Sequence, residues 1–236
     1  MFVTGGASGI GADIVRAFAG QGCKVGFVDI LEDDGKALAK ETGAEFLSCD
    51  ITDTPGLKAA IDVINTRLGP IGVLVNNAAN DNRHEIDAVT EEYWDASLGI
   101  NLKPQFFAAQ AVREQMKSLG GGSIINFSSI VWRGGAANMP VYATAKAAVN
   151  GLTRALARGF GADNIRVNSI EPGAVITDRQ RKLWYPSQEQ VDAIVERQMI
   201  RRVLLGEEIA RTCLFLASDD SRMITKQAIT VDAGLR

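Results

Sequence analysis

Two side chains four positions apart have the types needed for proton transfer. Tyr142 and Lys146 begin an alanine-rich stretch with the sequence YATAK, and this spacing puts both on one face of a helix. A phenol has a pKa near about 10, so it is a poor base at neutral pH unless a neighbouring ammonium favours its phenolate form. With that help Tyr142 becomes a usable general base, although an isolated pair of this kind is more often an ordinary exposed Tyr and Lys.

Further polar side chains follow predicted strands. Ser128–Ser129 ends an apolar run 13 residues before Tyr142, and Asn76–Ala79 follows another strand-like run. Asn101 lies within a long helix-like stretch. Because the carboxyl ends of parallel strands meet at the edge of a sheet where ligands bind, we expect these groups to converge on one crevice.

A glycine-rich turn, TGGASGIG, lies between the first predicted strand and the first predicted helix. Gly5, Gly9 and Gly11 are spaced as a variant of the dinucleotide-binding fingerprint. Such glycines allow close backbone approach, and the following helix N-terminus offers free N–H groups to a pyrophosphate. A plain turn is the alternative interpretation.

Asp29 ends the second predicted strand, 18 residues after Gly11. A carboxylate there can accept hydrogen bonds from both hydroxyls of an adenosine ribose, and its charge repels a 2′-phosphate. Neither Ile30 nor Ser8 provides a compensating cation. The pattern therefore predicts NAD rather than NADP, with a helix cap or a solvated loop acid as the structural alternative for Asp29.

Short β-branched runs alternate with longer amphipathic stretches, which predicts an α/β fold with a doubly wound, seven-stranded parallel sheet. The expected strands are Phe2–Thr4, Lys24–Asp29, Glu45–Cys49, Gly72–Val75, Ser123–Ser128, Arg166–Ile170 and Ala228–Val231. The expected helices are Ile10–Gln21, Asp34–Glu41, Thr54–Arg67, Glu91–Leu119, Tyr142–Phe160 and Glu207–Ala217. We expect one domain over residues 1–236, with Asp178–Leu205 as an inserted helical lobe. The first strand is short, so either it is trimmed or a natural N-terminus lies upstream of Met1.

Composition excludes several other functions. A formal charge of −3 over 236 residues gives no basic field for nucleic acid. His84 is the single histidine, which rules out three-histidine zinc sites, and we expect no metal. Three scattered cysteines suit a reducing cytosol. No run approaches the roughly 18 apolar residues of a membrane helix, and the first residues do not match a signal peptide, so we expect a cytoplasmic protein.

Taken in order, these motifs resemble those of the short-chain dehydrogenase/reductase family over essentially the whole chain. The matching pieces are TGGASGIG, the strand ending in Asp29, Cys49-Asp50-Ile51, Asn76–Ala79, Asn101, Ser129, YxxxK, and Pro172-Gly173 followed by Thr177. The resemblance implies a Rossmann-like oxidoreductase with helices on both faces of the sheet and a small helical substrate lobe.

The family resemblance also implies a catalytic tetrad. Tyr142 would accept the proton of the substrate hydroxyl, and Ser129 would hydrogen-bond the reacting oxygen. Lys146 would lower the pKa of Tyr142 and orient the nicotinamide ribose, while Asn101 would hold a water that relays the proton outward.

By the same resemblance, NAD would contact several segments of the cleft. Asp50 and Ile51 would contact adenine, and Asn77 to Ala79 would line the adenosine ribose. Val175 and Thr177 would anchor the carboxamide. The expected cofactor-binding residues are Gly5, Ser8, Gly9, Ile10, Gly11, Asp29, Ile30, Asp50, Ile51, Asn77, Ala78, Ala79, Tyr142, Lys146, Pro172, Gly173, Val175 and Thr177.

Glu171 departs from the family pattern, which usually has a small, neutral or apolar residue before Pro172-Gly173. Its carboxylate either reads the substrate or pairs with a nearby arginine. Both interpretations stay open at this point.

A narrower resemblance concerns the substrate. The run NNAANDNRH, Tyr93–Asp95, Lys182–Tyr185, Leu216–Asp220 and Asp232–Gly234 together resemble bacterial NAD-dependent aldose 1-dehydrogenases, particularly the D-xylose type. These oxidise the anomeric hydroxyl of a pentose or hexose pyranose to a lactone, and here the lobe would close over the sugar. The expected substrate residues are Asn80, Arg83, Ser129, Trp132, Tyr142, Glu171 and Trp184, with core packing as the alternative for both tryptophans and loop bracing favoured for His84.

Other activities within the family stay open. A polyol or secondary-alcohol dehydrogenase fits the same residues, whereas a 3-oxoacyl reductase usually prefers NADP and is disfavoured by Asp29. A catalytically idle NAD-binding protein is the remote alternative, since such proteins lose the Tyr or the Lys. The family is commonly tetrameric, and Glu91–Leu119 and Tyr142–Phe160 carry apolar residues beyond one core-facing stripe, so we expect a homotetramer or homodimer.

Overall fold

A parallel sheet of seven strands forms the centre of the computed structural model, which describes residues 1–235. The strands are β1 (Phe2–Thr4), β2 (Gly26–Asp29), β3 (Glu45–Ser48), β4 (Val73–Asn76), β5 (Gly122–Phe127), β6 (Ile165–Pro172) and β7 (Ala228–Val231). Their order across the sheet is β3-β2-β1-β4-β5-β6-β7. The strand order reverses between the neighbours β1 and β4, which opens a crevice at their carboxyl ends.

Helices cover both faces of this sheet. They are α1 (Gly9–Gly20), α2 (Glu32–Thr42), α3 (Thr54–Leu68), α4 (Glu91–Asn101), α5 (Lys103–Ser118), α6 (Val131–Gly134), α7 (Pro140–Phe160), α8 (Asp178–Leu183), α9 (Gln188–Arg197) and α10 (Gly206–Ala217). One apolar core joins the sheet to α1, α2 and α10, and a second joins it to α3, α5 and α7. The predicted Rossmann-like, doubly wound α/β fold is therefore confirmed.

The expectation of one continuous helix over Glu91–Leu119 is wrong. The structure has two helices, α4 and α5, interrupted at Leu102 with φ −130° and ψ −56°. Pro104 explains the break, because proline has no amide N–H and its ring clashes with the carbonyl four residues earlier. The N–H of Gln105 turns to Leu102 O at 3.2 Å, and its side-chain amide donates to Asn101 O at 3.2 Å instead.

Two short helices, α8 and α9, occupy the segment expected to form a helical lobe. The Thr177 hydroxyl accepts from Gln180 N and caps α8, while Ser187 and Gln190 form a capping box at α9. Strand β6 runs to Pro172 rather than ending at Ile170, so Glu171 belongs to the sheet. Among residues 1–235, no helix combines the length and apolar character needed to cross a membrane.

Candidate active site

Tyr142 and Lys146 lie in the first turns of α7, above the carboxyl end of β5. The Lys146 side chain is 1% exposed, and its ammonium donates to Phe127 O at 2.9 Å. The same nitrogen lies 5.4 Å from the centroid of the Tyr142 ring. The helical spacing therefore brings the two groups together, as the sequence predicts.

The strand end carries the hydroxyl groups that face this pair. The Ser129 hydroxyl lowers the pKa of the Tyr142 phenol, and its Oγ accepts from Val131 N at 3.2 Å. The neighbouring Ser128 hydroxyl donates to Lys146 O at 2.7 Å. Ser128 thus ties β5 to α7, while Ser129 contacts the proposed base.

Burial controls the charge of both groups. Burial raises the pKa of Tyr142 above its ordinary value, the negative charge of Asp81 raises it further, and the Ser129 hydrogen bond lowers it. Burial lowers the pKa of Lys146 to about 7, against the opposing effect of Asp81. The site therefore pairs a neutral phenol with an amine that stands between its charged and neutral forms at neutral pH.

Asn101 holds the loop that follows β4. Its side chain is fully buried; Oδ1 accepts from Asn80 N at 2.9 Å, and Nδ2 donates to Asn80 O at 3.0 Å and to Ser97 O at 3.0 Å. The amide is therefore used entirely within the protein. The water-holding role that the family implies for Asn101 stays a prediction.

The backbone of the glycine-rich turn is too closely packed, and partly too strained, to accept side chains at its glycines. Gly5 and Gly9 have φ of 65° and 51°, the left-handed region that favours glycine. A Cβ on Gly11 would lie 1.8 Å from Gly5 O. Asn77 Nδ2 donates to the same carbonyl at 2.8 Å and holds the turn against the end of β4. Since Ser8 gives no side-chain cap to α1, the first amides of the helix stay available to a phosphate.

Asp29 lies where the glycine turn meets β2. Its Oδ2 accepts from Ala7 N at 2.9 Å, and its Oδ1 accepts from Leu31 N at 3.1 Å. It makes no contact with the first-turn amides of α2, so it is not the helix cap considered above. Each carboxylate oxygen has a second acceptor site, which leaves room for ribose hydroxyls.

One cleft of about 1530 Å³ connects these features. Every residue expected to bind the cofactor lines it, as do Ser129 and the expected substrate residues Asn80, Arg83 and Trp184. The Arg83 guanidinium lies 4.4 Å from the Trp184 ring centroid. Within residues 1–235 the buried indole N–H of Trp184 has no hydrogen-bond partner.

Of the two interpretations left open for Glu171, the structure favours the pairing with an arginine. Glu171 is fully buried outside the cleft, and its oxygens accept from Arg133 Nε at 2.8 Å, Asn150 Nδ2 at 2.8 Å and Thr230 Oγ1 at 3.0 Å. Burial acts to raise its pKa, but these hydrogen bonds together hold the pKa below its ordinary value. The structure thus shows the carboxylate paired with an arginine.

Trp132, also expected to face the sugar, lies outside the cleft as well. The short helix α6 directs its indole N–H to Glu171 Oε1 at 3.0 Å. That hydrogen bond and the Arg133 guanidinium, 4.4 Å from the ring centroid, hold the partly buried indole beside β6.

His84 braces the loop after β4 against the catalytic helix. Its Nε2 accepts from Val141 N at 3.3 Å, and its Nδ1 lies 2.8 Å from the Tyr93 hydroxyl. Its backbone N–H donates to Asn138 O at 2.9 Å. These contacts fit the bracing role that the sequence favoured.

Sequence reasoning missed a contact between this loop and the lobe. Asp81 Oδ2 accepts from Gln180 Nε2 at 2.6 Å, and Asp81 Oδ1 lies 3.4 Å from Arg179. All three line the cleft. The signal in the sequence that could have indicated this contact is the strongly polar run that follows Ala79.

Comparisons with known proteins agree with this geometry. A family model described as enoyl-(acyl carrier protein) reductase matches residues 5–236. The chain is 46% identical over 241 residues to a probable galactose dehydrogenase of Rhizobium meliloti (strain 1021), covering 100% of this chain and 94% of that protein. It is 42% identical over 239 residues to a D-xylose 1-dehydrogenase of Caulobacter vibrioides (strain NA1000 / CB15N), covering 99% and 94%. A blue fluorescent protein from a metagenomic library, solved in complex with NADPH, has a TM-score of 0.90 at 32% identity, covering 99% and 96%.

Proposed function

The chain belongs to the short-chain dehydrogenase/reductase family, and we propose that it is an NAD-dependent dehydrogenase that oxidises the C1 hydroxyl of an aldopyranose to a lactone. The observation that carries this proposal is that Ser129, Tyr142 and Lys146 line the same cleft as the glycine turn. The substrate class is supported by two full-length relatives named for galactose and D-xylose, both aldoses.

Proton transfer falls to Tyr142 and Ser129. We place the C1 hydroxyl between them, so that Ser129 hydrogen-bonds the reacting oxygen and the Tyr142 phenolate takes its proton. The hydride leaves C1 with two electrons, and the carbon becomes the lactone carbonyl. An oxidised nicotinamide, when bound, supplies the hydride acceptor.

Lys146 makes this base available. Its protonated form favours the phenolate electrostatically, and with a pKa of about 7 it responds to small changes in the cleft. The side-chain amide of Asn101 already bonds Asn80 and Ser97, and its main-chain carbonyl accepts from Gln105 Nε2, so a proton-relaying water there would use the second acceptor site of one of these oxygens.

The acidic surroundings of Asp29 support NAD rather than NADP. The cation that lines this part of the cleft, Arg16, is engaged by Glu41 in two hydrogen bonds of 2.7 and 3.0 Å. Ile30 is 69% exposed and offers no charge. A 2′-phosphate would therefore meet the carboxylate of Asp29, while Arg16 is already paired with Glu41.

We further propose a cytoplasmic homotetramer or homodimer. The free cysteines Cys23 and Cys49, the first exposed and the second half-buried, are compatible with a reducing compartment. Trp94 and Phe106 are each 40% exposed on α4 and α5, which supports burial of this surface against another copy. Light scattering of the purified protein would test the assembly.

The test is an NADH absorbance assay across aldoses and polyols. D-xylose, L-arabinose, D-galactose, D-glucose, L-fucose and galactitol are each offered with NAD and, in parallel, with NADP. We expect NADH from at least one aldose, with lactone as the product. Activity on galactitol alone would replace the proposal with a polyol dehydrogenase, and no activity on any of them would remove it.

A further inference from the structure

We propose that Asp81 determines specificity for hydroxyl-rich substrates by accepting a hydrogen bond from the hydroxyl next to the reacting carbon. The inference rests on the proposed function, because it needs a substrate with a hydroxyl at that position. It adds a residue that the expected substrate set does not contain.

The position of Asp81 suits a substrate contact. Its side chain is 21% exposed and lines the same cleft as Ser129 and Tyr142. The preceding residue, Asn80, is held at both its N–H and its carbonyl by the buried amide of Asn101. The carboxylate therefore extends from a backbone that is already fixed, which lowers the cost of ordering it on binding.

The charge of Asp81 reaches the reacting groups. Its negative charge raises the pKa of both Tyr142 and Lys146, and all three side chains line the same cleft. A negative charge here opposes the phenolate that proton abstraction needs. Asp81 therefore does not assist Tyr142 as a base. A role in binding the substrate explains why a carboxylate lies in this cleft.

The two oxygens of Asp81 are unequally engaged. Oδ2 accepts a short bond of 2.6 Å from Gln180. Among residues 1–235, Oδ1 has only two contacts, both of 3.4 Å and both with Arg179. The Arg179 side chain is 51% exposed and makes a shorter bond, of 3.0 Å, to Asn82 Oδ1. Contacts of 3.4 Å lie beyond the usual range of charge-assisted hydrogen bonds, so Oδ1 can accept a substrate hydroxyl.

A donor in the same cleft complements this acceptor. The indole N–H of Trp184 is buried and, across the described part of the chain, has no hydrogen-bond partner. A sugar hydroxyl donates one hydrogen bond and accepts others, so neighbouring hydroxyls can use an acceptor and a donor together. Simple alcohols would leave both protein groups unpaired, which is costly in a closed site.

The test is a double-mutant cycle in which one change is the substitution Asp81→Asn and the other is the removal of the neighbouring hydroxyl from the substrate. The kcat/KM values of wild type and variant are measured with D-galactose and with 2-deoxy-D-galactose, or with the corresponding pair for whichever aldose the wild type prefers. Loss of a charge-assisted hydrogen bond is expected to lower kcat/KM about 10- to 100-fold on the parent sugar. On the deoxy sugar, where that bond cannot form, we expect less than about a threefold change.

Controls separate this role from a loss of folding or of lobe closure. Asp87→Asn makes the same charge change on the same loop, at an exposed position outside the cleft, and is expected to match wild type on both sugars. NADH binding measured by fluorescence checks that the cofactor site is intact. Asp81→Glu is expected to keep a higher ratio of kcat/KM between the parent and the deoxy sugar than Asp81→Asn. Equal losses on both sugars would overturn the inference, because a carboxylate that only latches the lobe affects them alike. If the wild type oxidises no aldose, the proposed function fails first and this inference fails with it.

Discussion

Replacing Glu171 by Gln removes the charge from a fully buried carboxylate while keeping its shape. In the wild type, Oε1 accepts from Trp132, from Asn150 and, at 3.3 Å, from Arg133 Nη2, while Oε2 accepts from Arg133 Nε and Thr230. Glutamine has one acceptor oxygen, so its NH₂ must face a pair of donors. The Thr230 hydroxyl can rotate to accept, but a guanidinium cannot, so the bond to Arg133 is lost or its neighbours are left unpaired.

The cost follows from these contacts. A hydrogen bond to a charged group contributes about 1.5–3 kcal/mol, and a donor left buried without a partner costs a similar amount. Arg133 is 35% exposed and can turn toward water, which reduces the ion-pair contribution. We therefore expect Glu171→Gln to lower the free energy of unfolding by about 2–4 kcal/mol, or roughly 5–15 °C in Tm for a chain of this size.

Urea unfolding followed by circular dichroism measures this difference, with Glu114→Gln at an exposed position of α5 as the matched control. The pKa of Glu171 is lower in the folded protein than its ordinary value of 4.5. Its stabilising contribution is therefore complete above about that pH and is lost as the pH falls through the folded-state pKa. Wild type and Glu171→Gln should differ in stability at pH 7 and converge in acid.

Kinetics provide the refutation. Since Glu171 lies outside the cleft, KM for the sugar should change less than about threefold in a folded Glu171→Gln variant. A large rise in KM with unchanged unfolding would show that the carboxylate reads the substrate and that the buried network described here is wrong.

Three further substitutions test other parts of the site. Tyr142→Phe should abolish NADH formation with NADH binding unchanged by fluorescence titration, and persisting activity would show that another group is the base. Gly11→Ala should lower cofactor affinity at least about tenfold, since its Cβ would lie 1.8 Å from Gly5 O, and an unchanged Kd would mean that the turn is not the pyrophosphate site. Asp29→Asn should reduce the NAD over NADP ratio of kcat/KM by about tenfold or more, because it removes the repelling charge, and an unaltered ratio would place the discrimination elsewhere.

The fold could be predicted because its signals are local. Apolar β-branched runs alternate with amphipathic stretches, and the glycine turn after β1 marks the first crossover. The pair Tyr142 and Lys146 was equally accessible, since helical spacing alone brings residues four apart together. For these features, sequence neighbours are also neighbours in space.

The break at Leu102 was not predicted, although its cause, Pro104, is visible in the sequence. The amphipathic pattern continues from α4 into α5, and it suggested one helix despite Pro104. The proline outweighs that pattern because it removes a hydrogen bond and adds a clash within a single turn.

Glu171 and Asp81 could not be placed, for a different reason. Glu171 meets partners from α6, α7 and β7, and Asp81 meets side chains nearly a hundred positions away. The hydrophobic periodicity of the sequence does not predict such long-range side-chain contacts. Only the packed structure shows that the first acid is saturated within the core and that the second faces the cleft.

The grip of Asn101 on the loop after β4 has a consequence for how this scaffold can be retargeted. Asn101 binds the backbone N–H and carbonyl of Asn80, so its hold does not depend on the side chain at position 80. Exchanges at that position alter the wall of the cleft and keep this main-chain grip, although they remove the hydrogen bond that Asn80 Oδ1 accepts from Asn82 N at 3.1 Å. Ser129, Tyr142 and Lys146 line the same cleft from other segments of the chain, so a new side chain at position 80 would reshape the pocket without replacing any of them.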